Sequence, residues 1–123
     1  MRSGRLILVV EDDIGFRREL CAAIEDAGYP AVGASSGRDA LDWLNSGAIR
    51  PGLIVLDLNM DEMNGEVFKA RLAQDRRYQA IPVVLISARP DLDAVAARLQ
   101  VQAALSKPFS PDALLDQIRE LCA

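Results

Sequence analysis

Carboxylates, one hydroxyl and one amine stand where apolar runs stop. Glu11-Asp12-Asp13 follows Leu6 to Val10, and Asp57 ends the run Leu53-Ile54-Val55-Leu56. Ser87 closes residues 81–86, interrupted only by Pro82, and Lys107-Pro108 closes a shorter segment. If these runs are strands of one parallel sheet, their carboxyl ends lie side by side. Open α/β sheets bind ligands in the crevice at that edge. Oxygen donors without imidazole or thiolate favour Mg²⁺, which keeps several waters and takes few protein ligands. A lysine and a hydroxyl beside a carboxylate suit a phosphoryl group.

Each residue alone has a simpler explanation. Asp13 reads as a helix cap, stabilising the positive end of the segment that follows. Asp57 could hydrogen-bond its own turn, Asp57-Leu58-Asn59-Met60, and Ser87 or Lys107-Pro108-Phe109 could be ordinary strand-end and turn residues. Glu11 and Asp12 are harder to dismiss. Clustered carboxylates repel one another and destabilise a fold unless a cation neutralises them. The joint occurrence at four strand ends is what points to a site.

Helix and strand periods alternate along the whole chain, which is what positions these groups. Leu6–Val10 reads as a buried strand, followed by Ile14, Leu20, Ala23, Ile24 and Ala27 at helical spacing until Gly28. Ala31–Ala34 is a short second strand. Ser36-Gly37 opens a helix carrying Ala40, Leu41, Trp43 and Leu44, closed by Asn45-Ser46-Gly47. Residues 53–57 form the third strand, and a helix with Val67, Phe68 and Leu72 starts at Gly65. Residues 81–87 form the fourth strand, 91–100 a short helix with Val95 and Leu99 inward, and 101–105 a weak fifth strand. Ser110-Pro111 then caps a last helix with Leu114, Leu115, Ile118 and Leu121. Five β/α units with near-continuous apolar strands specify an α/β fold whose parallel sheet is buried on both faces.

Composition sets the outer limits. A chain of 123 residues is one domain with room for a real core. The early apolar run is too short for a signal-peptide core or a membrane span, so cytoplasm is the expected location. With 14 basic and 18 acidic residues the net charge is −4. Without a long basic run, direct nucleic-acid binding has little electrostatic support. Cys21 and Cys122 form no CxxC pattern and read as reduced, half-buried thiols. Histidine is absent, which removes histidine bases, metal ligands and phosphodonors from this chain.

Taken together, Val9-Val10-Glu11-Asp12-Asp13, Leu56-Asp57-Leu58-Asn59-Met60 with Met63-Asn64-Gly65, Ile86-Ser87-Ala88 and Lys107-Pro108-Phe109 resemble the receiver domain of bacterial response regulators, the CheY-like family. The resemblance covers residues 1–123, which would form one receiver domain, with no output domain expected in this chain after the fifth helix. It implies a flavodoxin-like, doubly wound, five-stranded parallel sheet of order 2-1-3-4-5 with five helices, a three-layer sandwich. It further implies that Asp57 is the phosphoacceptor. Asp12, Asp57 and the backbone carbonyl of Asn59 would hold Mg²⁺, with Glu11 in the outer shell. Ser87 would close on the phosphoryl group and Lys107 would pair with it. Ala88 would keep the entrance small-walled, and the Lys107-Pro108 bond would be cis. The implied donors are a sensor histidine kinase, a histidine phosphotransfer protein or a small acyl phosphate. The output would run through the fourth helix, fifth strand and fifth helix to a downstream protein. The domain would be a monomer or weak dimer, acting as a switch rather than as an enzyme on other substrates.

Four departures bear on that output. Asp61 stands in place of the family's proline, Gln102 in place of a glycine, and Ala104 in place of the aromatic three residues before the lysine. The fourth is a spacing of 107 − 87 = 20 residues from Ser87 to Lys107, about two shorter than the family pattern, so the fourth helix or its loop is trimmed. Signalling then has to pass through the 87–91 loop and the shortened fourth helix, with Arg89 as a moving group. The competing reading keeps the fold and drops the chemistry: a pseudo-receiver binding its partner regardless of phosphorylation. A haloacid-dehalogenase-type phosphatase would need Asp-x-Asp where Glu11-Asp12-Asp13 stands, and a flavodoxin-like flavin protein would need a hydroxyl- and glycine-rich loop after the first strand.

Overall fold

A computed structural model describes residues 5–60 and 63–122. Asp61, the first departure named above, lies outside the described residues. The strands are β1 (Leu6–Val10), β2 (Ala31–Ala34), β3 (Pro51–Asp57), β4 (Val83–Ser87) and β5 (Ala103–Ser106). The helices are α1 (Ile14–Asp26), α2 (Gly37–Ser46), α3 (Gly65–Ala73), α4 (Leu92–Leu99) and α5 (Pro111–Leu121). All pairings are parallel, in the order β2-β1-β3-β4-β5. The fold is the flavodoxin-like doubly wound sheet expected from the sequence.

Strand alternation divides the core into two layers. Leu8, Val10, Ile54, Leu56, Val83 and Leu85 face α2, α3 and α4, where they meet Leu44, Phe68, Leu72 and Val95. Ile7, Val9, Leu53, Val55, Val84 and Ile86 face the other way and meet Leu20 and Ile24 of α1 and Leu114 and Ile118 of α5. Because successive side chains point to opposite faces, an unbroken apolar strand serves both layers. Burying each large aliphatic side chain contributes roughly 1.5–3 kcal/mol.

Local chemistry explains where the elements start and stop. Asp13, Ser36, Asn64 and Ser110 each accept a hydrogen bond from the N–H three residues on, capping α1, α2, α3 and α5. Gly47 ends α2 at φ 77°, in the left-handed region that favours glycine. The Lys107-Pro108 bond is cis, as the motif implied. Cys21 and Cys122 are free thiols, the first half-buried and the second buried.

Several boundaries and faces differ from expectation. β3 begins two residues earlier, at Pro51, and β4 two later, at Val83. Ile81 belongs to the turn after α3, its N–H donating to the Tyr78 carbonyl. β5 starts at Ala103 because Gln102 pairs with Val83 through both backbone and side chain: its N–H donates to the Val83 carbonyl, and its Oε1 accepts from the Val83 N–H at 2.7 Å. The glutamine that replaces a glycine thus satisfies a buried donor at the sheet end. Ile14 is 54% exposed and Val67 42%. On α1 the inward stripe runs through Leu20 and Ile24, and its four-residue step backwards leads to Phe16 rather than Ile14. On α3 the same step links Phe68 and Leu72, which turns Val67 outward.

Candidate functional site

Parallel register brings the strand ends together: Val10 lies beside Leu56, Asp57 beside Ile86, and Ser87 beside Ser106. Glu11 extends β1 by one residue, its N–H donating to the Ala34 carbonyl at 3.1 Å. That extension carries its side chain inward, to 1% exposure. Asp12 projects to solvent, while Asp13 caps α1. Carboxylate oxygens of Glu11, Asp12 and Asp57 all lie within 4.8 Å of one another.

Asp57 is 3% exposed at the end of β3. Its Oδ1 accepts the Asn59 N–H at 3.1 Å, the self-bonded turn considered from sequence, so that bond and the acidic cluster coexist. Gly65 is required behind it. A Cβ there would sit 2.7 Å from the Asp57 carbonyl oxygen and 2.9 Å from Leu58 Cα, both backbone atoms that cannot yield cheaply. The Leu58 carbonyl accepts the Gly65 N–H at 3.0 Å, closing this turn.

Lys107 reaches the cluster from the end of β5. Its N–H donates to the Ser87 carbonyl at 2.8 Å, and its Nζ lies 3.2 Å from Glu11 Oε1 and 3.4 Å from Asp57 Oδ2. Ser87 is fully buried, and its Oγ accepts the Arg89 N–H at 3.0 Å. Ser87 is therefore held by its own loop, one strand away from Asp57. Exposed Asn59 stands at the mouth.

Burial pushes the Glu11 carboxyl from its ordinary 4.5 up to about 7. The Asp13 N–H, which donates to Oε2 at 3.1 Å, opposes that rise. The negative charge of Asp57 reinforces it, and Lys107 offsets part of it. Such a cluster is an oxygen-only donor set with an excess of negative charge, which fits a hard divalent cation.

An open cavity of about 500 Å³ adjoins the amine, lined by Asp13, Phe16, Ala88, Lys107, Pro108 and Phe109. Three neighbours of the site were not singled out from the sequence. The Arg17 guanidinium donates to the Glu11 carbonyl at 2.8 Å. Phe16 places its ring 4.8 Å from Lys107 Nζ. Glu66 of α3 pairs with Arg89 at 3.2 Å and also with Arg98 of α4. The four-residue step from Leu20 would have flagged Phe16 as inward-facing; no sequence signal links Glu66 to either arginine.

The sequence profile of the family described as "Response regulator receiver domain" matches residues 7–119. Response regulator Rre1 of Synechocystis is 35% identical over 95% of this chain, which spans 51% of that protein. The transcriptional regulatory protein GlrR of Escherichia coli is 36% identical over 91% of the chain, which spans 25% of that one. The chain thus covers about half or less of these curated relatives. Among solved structures, the chemotaxis protein CheY4 of Vibrio cholerae superposes with a TM-score of 0.85 at 27% identity, covering 95% of this chain and 98% of that one. A response regulator receiver protein from Pseudomonas putida gives 0.85 at 27%, covering 94% and 96%.

Proposed function

The chain belongs to the response regulator receiver domain family of two-component systems, and from that premise we propose that Asp57 accepts a phosphoryl group from a phosphohistidine. The observation that carries this is the convergence of Asp57, Glu11, Asp12 and Lys107 at one sheet edge. A sensor histidine kinase or histidine phosphotransfer protein supplies the group, and a small acyl phosphate can replace it. The P–N bond to the donor imidazole breaks as an Asp57 carboxylate oxygen bonds to phosphorus. In the loose transition state charge spreads over three equatorial oxygens.

Lys107 already stands beside Asp57 Oδ2, so it meets that charge with little movement. Asp12, Asp57 and the Asn59 carbonyl would hold Mg²⁺, with Glu11 in the outer shell; when bound, the ion supplies further positive charge at the phosphoryl oxygens. Ser87 Oγ accepts from Arg89, which leaves the hydroxyl hydrogen to be donated to the product. The domain catalyses only its own phosphorylation and dephosphorylation.

The added phosphoryl charge draws Ser87 and its loop inward, biasing a two-state equilibrium. Ala104, packed on the core, has no ring to turn with it. Arg89 carries the movement instead, through Glu66 to Arg98 of α4, and so to the α4–β5–α5 face that meets the downstream protein. No helix among the described residues is long and apolar enough to cross a membrane. The reading extends to a cytoplasmic monomer or weak dimer with protein partners, and the net charge of −4 gives direct nucleic-acid binding little support.

Incubation with Mg²⁺ and acetyl phosphate tests the assignment. Intact-mass spectra should show one added phosphate on the wild type and none on Asp57→Asn. Equal labelling of both proteins would move the acceptor elsewhere, and no labelling of either would favour a phosphorylation-independent interaction module.

A further inference from the structure

Lys107 has a third neighbour besides its two carboxylates. The ring of Phe16, on the first turn of α1, lies 4.8 Å from the ammonium nitrogen, and Lys107 is only 27% exposed. The negative face of an aromatic ring attracts a cation at this range, more strongly where water is partly excluded. The ring is itself held. Phe109 meets it edge-on, with centroids 5.9 Å apart and planes at 62°, a favoured aromatic geometry. The Phe16 N–H donates to Asp13 Oδ1 at 3.0 Å, which ties its backbone to the helix cap. Phe16, Phe109 and Lys107 also line the same cavity beside the acidic cluster.

We propose that Phe16 is a positioning residue for phosphoryl transfer, its ring holding the Lys107 ammonium toward Asp57 before the phosphoryl group arrives. A lysine has four flexible side-chain bonds and gains conformational freedom by swinging into water. Glu11 and Asp57 restrain it from the sheet side. The cavity side is open, and Phe16 is the group that faces the ammonium there. When the phosphoryl group bonds to Asp57, Lys107 can exchange a carboxylate contact for a phosphoryl oxygen without leaving the ring. The proposal rests on the phosphoacceptor reading of Asp57.

The test uses the wild type, Phe16→Leu and Phe16→Tyr. Leucine keeps an apolar side chain and removes the ring; tyrosine keeps the ring. Acetyl phosphate is the donor: its O–P bond breaks, acetate leaves, and the Asp57–phosphoryl bond forms. At saturating Mg²⁺, Phe16→Leu should transfer roughly three- to tenfold more slowly, with Mg²⁺ affinity unchanged, and Phe16→Tyr should restore the rate. Before any donor is added, the Lys107 ε-protons should resonate upfield of those of Lys69 in the wild type, and lose that ring-current shift in Phe16→Leu. A wild-type rate in Phe16→Leu, or a tyrosine variant as slow as the leucine one, overturns the proposal alone. So does an unshifted Lys107 in the wild type. Absence of labelling in the wild type overturns the phosphoacceptor reading and the proposal with it.

Discussion

Glu11→Gln separates the charge of the acidic cluster from its shape. Glu11 is 1% exposed, and burial pushes its carboxyl from 4.5 to about 7. Below pH 4.5 the group is protonated in folded and unfolded chains alike. Between 4.5 and 7 the unfolded chain ionises first and the folded chain binds more protons, so stability falls as pH rises. Each tenfold change is worth about 1.4 kcal/mol, which sets a ceiling of about 3 kcal/mol lost by pH 8 without metal. Glutamine has no charge to lose and keeps an oxygen for the Asp13 N–H, but gives up the ion pair with Lys107. Urea unfolding in chelator should therefore show the stability of the variant rising relative to wild type from pH 5 to pH 8, then levelling. Added Mg²⁺ should reverse the ordering at pH 8, because a cation stabilises the ionised wild-type cluster. Binding of Mg²⁺ near pH 6.5 should also release a proton, measurable by calorimetry in buffers of different ionisation enthalpy. A stability difference independent of pH between 5 and 8 would refute the reasoning.

Four further outcomes follow from individual contacts. Asp12→Ala should raise the metal-free Tm by about 2 °C while slowing phosphorylation at least about tenfold; a fall in the metal-free Tm would make Asp12 chiefly structural. Gly65→Ala should cost about 1–3 kcal/mol in urea unfolding, because its Cβ meets backbone at 2.7 and 2.9 Å, and an unchanged midpoint would contradict that close approach. Gln102→Ala should cost about 1–2 kcal/mol and speed hydrogen exchange at the Val83 amide, which loses its acceptor. Glu66→Gln should change stability by less than about 1 kcal/mol, yet weaken phosphorylation-induced shifts in α4 and leave those at Ser87 intact. Undiminished α4 shifts would place the signal on another path.

What the sequence by itself determined is local. Alternation of apolar runs, the Asp13 and Ser110 caps, the helix start at Ser36-Gly37 and the stop at Asn45-Ser46-Gly47 act within a few residues, so the order and type of all ten elements were legible. The positions of Glu11, Asp12, Asp57, Ser87 and Lys107 at strand ends were legible for the same reason, since a parallel sheet aligns those ends whatever the side chains do. Faces were less secure. Ile14 and Val67 are apolar yet exposed, because a side chain's angle around a helix depends on which neighbours that helix packs against. Tertiary structure alone decided the partners. Lys107 meets Glu11 across 96 residues and Asp57 across 50, and the Phe16 ring completes its surroundings from α1. Glu66 is shared between Arg89 and Arg98 only because α3 and α4 pack side by side on one face of the sheet. Gln102 finds Val83 only once β5 has docked on β4. Residue spacing brings the strand-end groups to one edge of the sheet but does not set these individual pairings, whose distances depend on strand register and helix docking, which arise when the two layers of the core close.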